Sequence, residues 1–181
     1  MRDLWVFGYG SLMWRPGFPY EESHIGSLEG YHRALCVYSH VYRGSPEKPG
    51  LVMGLSAGGS CQGMLFRVAA DQRDAVIDYL RAREQVTSVY LEEVVPVAIS
   101  SDKVLGAPSI VDAVTYVADV GHEQYAGRLS LEEQVKIVQT SHGEAGPNID
   151  YVLNTVDHLK DIDIEDEELF ALAERLRAVG L

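Results

Sequence analysis

Two places in this chain combine residue types and surroundings suited to chemistry. The first is Gly8-Tyr9-Gly10-Ser11-Leu12, at the end of an apolar, aromatic run over residues 4–9. Glycine lets the backbone approach a ligand closely, and successive N–H groups in such a turn can form a concavity that holds an anion. The turn is not a dinucleotide fingerprint, because Met13 stands where GxGxxG needs its third glycine, and no GKS or GKT follows as a P-loop requires. The pattern alone leaves a structural turn and a binding turn both open.

The second place is Glu84. Most helical glutamates sit on a solvated face. At about 100° per residue, however, Glu84 falls angularly between Ile77 and Leu80, inside the apolar stripe of its helix and near the helix C-terminus. Burial and the negative end of the helix dipole both disfavour the charged carboxylate, so its pKa is expected to rise toward the range useful to a general base or acid. Arg81 and Arg83 would oppose that rise if they folded over it.

Weaker candidates surround these two. Arg33 in YHRAL and Arg43 in VYRGSPEKPG can clamp a carboxylate bidentately or serve in structural ion pairs. Tyr151, three residues after Asn148, can aim its hydroxyl into a site or simply pack. The histidines His24, His32, His40, His122, His142 and His158 show no HExxH or other metal-ligand spacing, so no metal is expected. There is no GxSxG elbow, and Ser11 has no His and Asp set beside it. Cys36 and Cys61 lie in apolar stretches and read as reduced core thiols, which fits a cytoplasmic setting.

The elements that must position these residues can be read from periodicity. The run at 4–9, YHRALCVYS at 31–39, residues 51–55 and residues 62–68 read as strands, joined by the Gly- and Pro-rich segments RGSPEKPG and SAGGS. Asp71 then opens a helix through Glu84, and residues 90–100 and 110–117 return to strand. Ser130 with Glu133 forms a capping box opening a helix to about Ser141. Asn148 caps a helix to about Lys160, and Asp166 or a neighbour starts the last one. The acidic run at 161–168 is a helix entry and not a calcium loop, since Asp166 stands where an EF-hand needs glycine. Strands, one inserted helix, strands and a helical tail predict an α+β fold.

The chain has 181 residues, a length that predicts one domain over 1–181. Lys and Arg number 15 against 27 Asp and Glu, a formal charge of −12, which disfavours a general nucleic-acid or anionic-membrane surface. An anionic ligand would have to be held locally, by Arg33 or Arg43. No stretch approaches the length of a membrane span.

Taken together, the segments WVFGYGSLMW, YHRALCVYS, RGSPEKPG, YLRAREQVTSVY, YAGRLSLEEQ and DYVLNTVDHL resemble the ChaC-like γ-glutamylcyclotransferases specific for glutathione, over roughly residues 4–176. The resemblance implies a mixed, partly closed β-barrel with surrounding helices, acting on glutathione without metal or cofactor. It implies that Tyr9, Gly10, Ser11 and Leu12 cradle the γ-glutamyl group and that Glu84 is the catalytic acid and base, with Arg33 and Tyr151 in matching segments as substrate-binding residues. The expected reaction is attack of the substrate's α-amine on its own γ-carbonyl, releasing 5-oxoproline and Cys-Gly. The alternatives are a cyclotransferase for other γ-glutamyl peptides or amines, and a non-catalytic module that binds γ-glutamyl metabolites.

Overall fold

The structure, a computed structural model, describes residues 2–100 and 108–179. Strand β1 (Leu4–Gly8) is apolar at nearly every position because both its edges are occupied. It pairs antiparallel with β3 (Gly50–Val68), from Leu4 opposite Val68 to Gly8 opposite Met64, and parallel with β5 (Ile110–Ala118), where Trp5 lies opposite Ala113. With β2 (Glu22–Ser39) and β4 (Tyr90–Ile99), pairing closes a five-stranded barrel in the order β1-β3-β2-β4-β5. The barrel is mixed because the seam between β5 and β1 is parallel.

The described residues fall into two compact units, 2–33 with 55–100 and 108–119, and 34–54 with 120–179. In the first unit one helix, α1 (Arg73–Glu84), follows β3 and buries Val76 and Leu80. These two pack in a single apolar cluster with Leu4 and Val6 of β1, Leu12, Phe66 and Val68 of β3, and Val114 and Tyr116 of β5. Each such side chain contributes about 1.5–3 kcal/mol when fully withdrawn from water. The cluster therefore joins Leu12, from the glycine-bearing turn, to the helix that ends in Glu84.

Two boundaries differ from the periodicity. Asp71 does not cap α1: Gln72 N–H donates to Ala69 O at 2.9 Å, drawing residues 69–72 into a turn before the helix begins at Arg73. SAGGS is not a loop either, since β3 runs through it. Gly58 and Gly59 take positive φ of 94° and 70°, so the strand passes through a distortion that only glycine tolerates cheaply, and His32 Nδ1 lies 2.8 Å from Gly58 O.

The second unit holds α2 (Leu131–Thr140), a two-stranded hairpin of β6 (His142–Gly143) and β7 (Gly146–Pro147), α3 (Asn148–Asp161) and α4 (Glu167–Val179). The three helices pack pairwise, burying Val138 of α2, Val152, Val156 and Leu159 of α3, and Leu172 and Leu176 of α4. Ser130 and Glu133 form the expected capping box, and Asp166 Oδ1 accepts from Leu169 N–H at 3.0 Å as α4 begins. Asn148 behaves otherwise than expected. Its side chain does not cap α3 but accepts from Leu51 N–H at 2.7 Å and donates to Leu51 O at 2.8 Å, completing a buried strand's backbone.

Gly63 tests how closely β1 and β3 must approach. A Cβ there would collide with Gly8 O and lie 2.8 Å from Phe7 Cζ. Gly63→Ala is therefore expected to lower stability by about 1–3 kcal/mol, the usual cost of overpacking, as read by urea unfolding. A midpoint equal to wild type would show that the strands have room to separate.

Candidate functional site

The glycine-bearing turn is pinned from several sides. Ser11–Met13 form one 3₁₀ turn, in which Met13 N–H donates to Gly10 O and Arg15 N–H to Ser11 O, both at 2.9 Å. The N–H groups of Ser11 and Leu12 precede the first such bond, the position at which a helix start leaves donors without intrahelical partners. Gly8 must be glycine because a Cβ there would stand 2.8 Å from Leu12 Cβ. Tyr9 is buried, and its hydroxyl donates to Tyr116 O at 2.7 Å. Thr115 Oγ1 donates to Phe7 O at 2.9 Å, so β5 holds the approach to the turn at two points.

Arg33, near the middle of β2, is only 6% exposed. Its Nε donates to Tyr9 O at 2.6 Å and its Nη2 to Gln62 O at 2.5 Å, with Met13 Sδ 3.8 Å from Nη2. The guanidinium thus braces the turn against β3 through backbone carbonyls.

Glu84 is the last residue of α1, and its side chain is 20% exposed. Burial pushes its carboxyl above the usual carboxylate range, and the neighbouring Arg83 guanidinium opposes this without cancelling it. The two arginines have separate tasks. Arg81 forks onto Glu92 of β4, Nε to Oε2 at 2.8 Å and Nη2 to Oε1 at 2.7 Å. That pairing holds Glu92 below the usual range.

Arg83 reaches Glu84 Oε1 with Nε at 3.2 Å and donates from Nη2 to Ser11 Oγ at 3.0 Å. Its Nη1 donates to Arg15 O at 2.7 Å, Pro16 O at 3.1 Å and the Tyr79 hydroxyl at 3.1 Å. The carboxylate and the turn are therefore linked through one guanidinium.

Tyr116 completes the surroundings. It is buried, lies opposite Glu92 in the register of β4 and β5, and donates from its hydroxyl to Glu92 Oε2 at 3.2 Å. Burial raises its pKa, and the charges of Glu92 and Glu84 add to the rise.

Tyr9, Gly10, Ser11, Leu12, Arg33 and Glu84 all belong to the first unit. Tyr151 and Arg43 belong to the second, where the Tyr151 hydroxyl accepts from Met53 N–H at 3.0 Å and the Arg43 guanidinium carbon lies 5.4 Å from the Tyr151 ring centroid. Arg43 also donates from Nη1 to Ala145 O at 2.8 Å and Pro147 O at 3.2 Å. The sequence reading missed Tyr116 and Glu92 altogether. Their only signal was a tyrosine and a glutamate inside largely apolar strands, whose register periodicity does not supply.

Among the described residues, no group of three or more His, Cys, Asp or Glu side chains is gathered as a metal site. Cys36 and Cys61 are both free and buried. No described helix is long and apolar enough to cross a membrane.

Comparison with known proteins bears on the whole chain. The family model described as ChaC-like protein matches residues 4–179. The chain belongs to the ChaC-like family. Its relatives include "Glutathione-specific gamma-glutamylcyclotransferase 1" of Danio rerio, 33% identical over 97% of this chain and 90% of that protein. "Gamma-glutamylcyclotransferase 2-3" of Arabidopsis thaliana is 30% identical over 97% of this chain and 89% of its own length. The crystal structure of a yeast γ-glutamylcyclotransferase specific to glutathione superposes with a TM-score of 0.87 over 98% of this chain and 97% of that one, at 21% identity. That likeness confirms the fold: the mixed five-stranded barrel with helices matches the architecture of the yeast protein.

Two outcomes follow from this geometry. Arg33→Met removes the donors to Tyr9 O and Gln62 O and is expected to cost about 1.5–3 kcal/mol for the charge-assisted bonds lost. Amide exchange at residues 9–12 should accelerate; exchange and stability equal to wild type would mean that the brace is dispensable.

The raised pKa of Glu84 has its own signature. Native Glu84 keeps its proton to higher pH than the unfolded chain does, so the native state binds more protons in that window and stability falls as pH rises through it. Glu84→Gln is expected to be more stable than wild type at neutral pH, with the gain vanishing below the ordinary carboxylate range, where Glu84 is neutral in both states. A gain independent of pH in urea unfolding would contradict this.

Proposed function

We propose that this chain is a glutathione-specific γ-glutamylcyclotransferase, with Glu84 as its general base and acid and the turn at residues 9–12 as the cradle of the γ-glutamyl unit. The observation that carries the reading is the partly buried Glu84 carboxylate, linked through Arg83 to Ser11 of the turn. The names of the relatives, and a family match over residues 4–179, support extending it to the whole chain as one catalytic domain. Two free, buried thiols support a reducing compartment such as the cytoplasm.

In the proposed reaction the α-amine of the γ-glutamyl unit attacks its own γ-carbonyl carbon. A C–N bond forms, closing the five-membered ring of 5-oxoproline, and the bond from that carbon to the cysteinyl nitrogen breaks, releasing Cys-Gly. Glu84 takes a proton from the attacking amine and returns one to the departing nitrogen, so neither water nor an oxidant is consumed. A carboxyl with a raised pKa suits both halves of this task. The amine and the carbonyl belong to one molecule, and a well-oriented intramolecular reaction can reach effective molarities of 10⁵ M or more. The protein's work is then to fold the substrate and to oppose charge on the carbonyl oxygen with N–H groups of the turn. In this reading Arg33 acts through the turn that it braces.

The test is incubation with glutathione and detection of 5-oxoproline with Cys-Gly, beside γ-glutamyl-alanine and a γ-glutamylamine. Glutathione is expected to be turned over far faster than the other two, and Glu84→Gln is expected to lose about 10²–10⁴-fold in kcat while still binding glutathione. Unimpaired turnover in Glu84→Gln would remove Glu84 from the mechanism. Equal rates on all three compounds would leave a general cyclotransferase.

A further inference from the structure

The guanidinium of Arg83 serves five groups at once: the Glu84 carboxylate, the Ser11 hydroxyl, the carbonyls of Arg15 and Pro16, and the Tyr79 hydroxyl. Arginine presents five N–H donors in a rigid planar fork, so bonds made from its different nitrogens fix the relative placement of the groups they reach. Ser11, Arg15 and Pro16 lie in and just after the glycine-bearing turn, whereas Glu84 ends α1. Apolar packing of Leu12 against the cluster containing Leu80 brings the two segments together but does not orient their polar groups. The arginine supplies that orientation.

We propose that Arg83 is the positioning residue of this site, coupling the Glu84 carboxylate to the Ser11 turn so that base and substrate cradle are held in one geometry. The inference rests on the cyclotransferase reading for its catalytic consequence and on the hydrogen bonds alone for its structural one. Arg83 also keeps a positive charge beside the carboxylate, opposing the rise in pKa that burial causes. Among the described residues, Tyr116 of β5 also interacts electrostatically with Glu84. Arg81 and Glu92 are committed to each other, and the Tyr116 hydroxyl donates to Glu92. Arg83 is thus the cation, among the described residues, that counters the effect of burial on Glu84.

The experiment compares wild type, Arg83→Met, Arg83→Lys and Ser11→Ala in the full chain. For Arg83→Met, kcat on glutathione is expected to fall at least tenfold with a smaller change in KM, and the acid limb of kcat/KM should move to higher pH, because Glu84 then needs a higher pH to ionise. Arg83→Lys should return the limb toward wild type, since charge is restored. It should recover only part of kcat, since one ammonium cannot span Glu84, Ser11 and the two carbonyls. Ser11→Ala should lower kcat while leaving the limb in place.

A scaffold role alone would lower the melting temperature without moving the limb. A folded Arg83→Met protein with the kcat and limb of wild type would overturn the proposal. Carbon-13 titration of the Glu84 carboxyl and amide exchange of the turn, both without substrate, give a second readout. If wild type releases no 5-oxoproline from glutathione, the functional reading fails, yet these two still decide the coupling: both unchanged in Arg83→Met, or in Arg83→Lys should the Met variant not fold, would refute it.

Discussion

A carboxylate withdrawn from water is stable only as far as a nearby cation or hydrogen-bond donor replaces its hydration. Among the described residues Glu84 has one such cation within reach, and that cation is shared with the turn. Much of the first unit is arranged around this sharing. The helix must end where its last side chain meets the arginine's Nε, the turn must present Ser11 Oγ to Nη2, and the segment after it must offer two carbonyls to Nη1. Arg81, with the same charge and one helical turn's company, is diverted to Glu92. Without that diversion two cations would bear on Glu84 and draw its pKa back toward the ordinary range.

A second arginine performs the corresponding task on the other side of the turn. Arg33 is buried and spends donors on backbone carbonyls of residues 9 and 62, so β3 and the turn are held at a fixed separation. The missing side chain at Gly63 permits the same closeness from the strand side. The turn's shape therefore comes from tertiary bonds as much as from its glycines.

The placement of Glu84 was legible in the sequence because helical period is strict: a residue four after Leu80 and seven after Ile77 must share their face. The capping box at Ser130 and Glu133 was legible for the same reason, being a local pattern with a local cause. What was not legible depended on partners distant in the chain. Which arginine would reach Glu84 is decided by the carbonyls at 15 and 16 and by Glu92, not by spacing within α1. Asn148 looked like a cap, but Leu51 offers its side chain two bonds in a buried setting, against the single one that capping would supply. SAGGS looked like a loop because small residues carry no alternating signal, and strand pairing overrode that local preference.

The parallel seam of the barrel has a kinetic meaning. Trp5 can pair with Arg67 soon after both are made, but its partner on the other edge is Ala113. Pairing across so long a stretch of chain is slow, because closure entropy must be met before the contact gives anything back. During synthesis the opening strand therefore carries a bare, sticky apolar edge until the fifth strand leaves the ribosome. A slowed or interrupted translation between these two strands would expose the nascent chain to self-association through the very segment that later holds the turn.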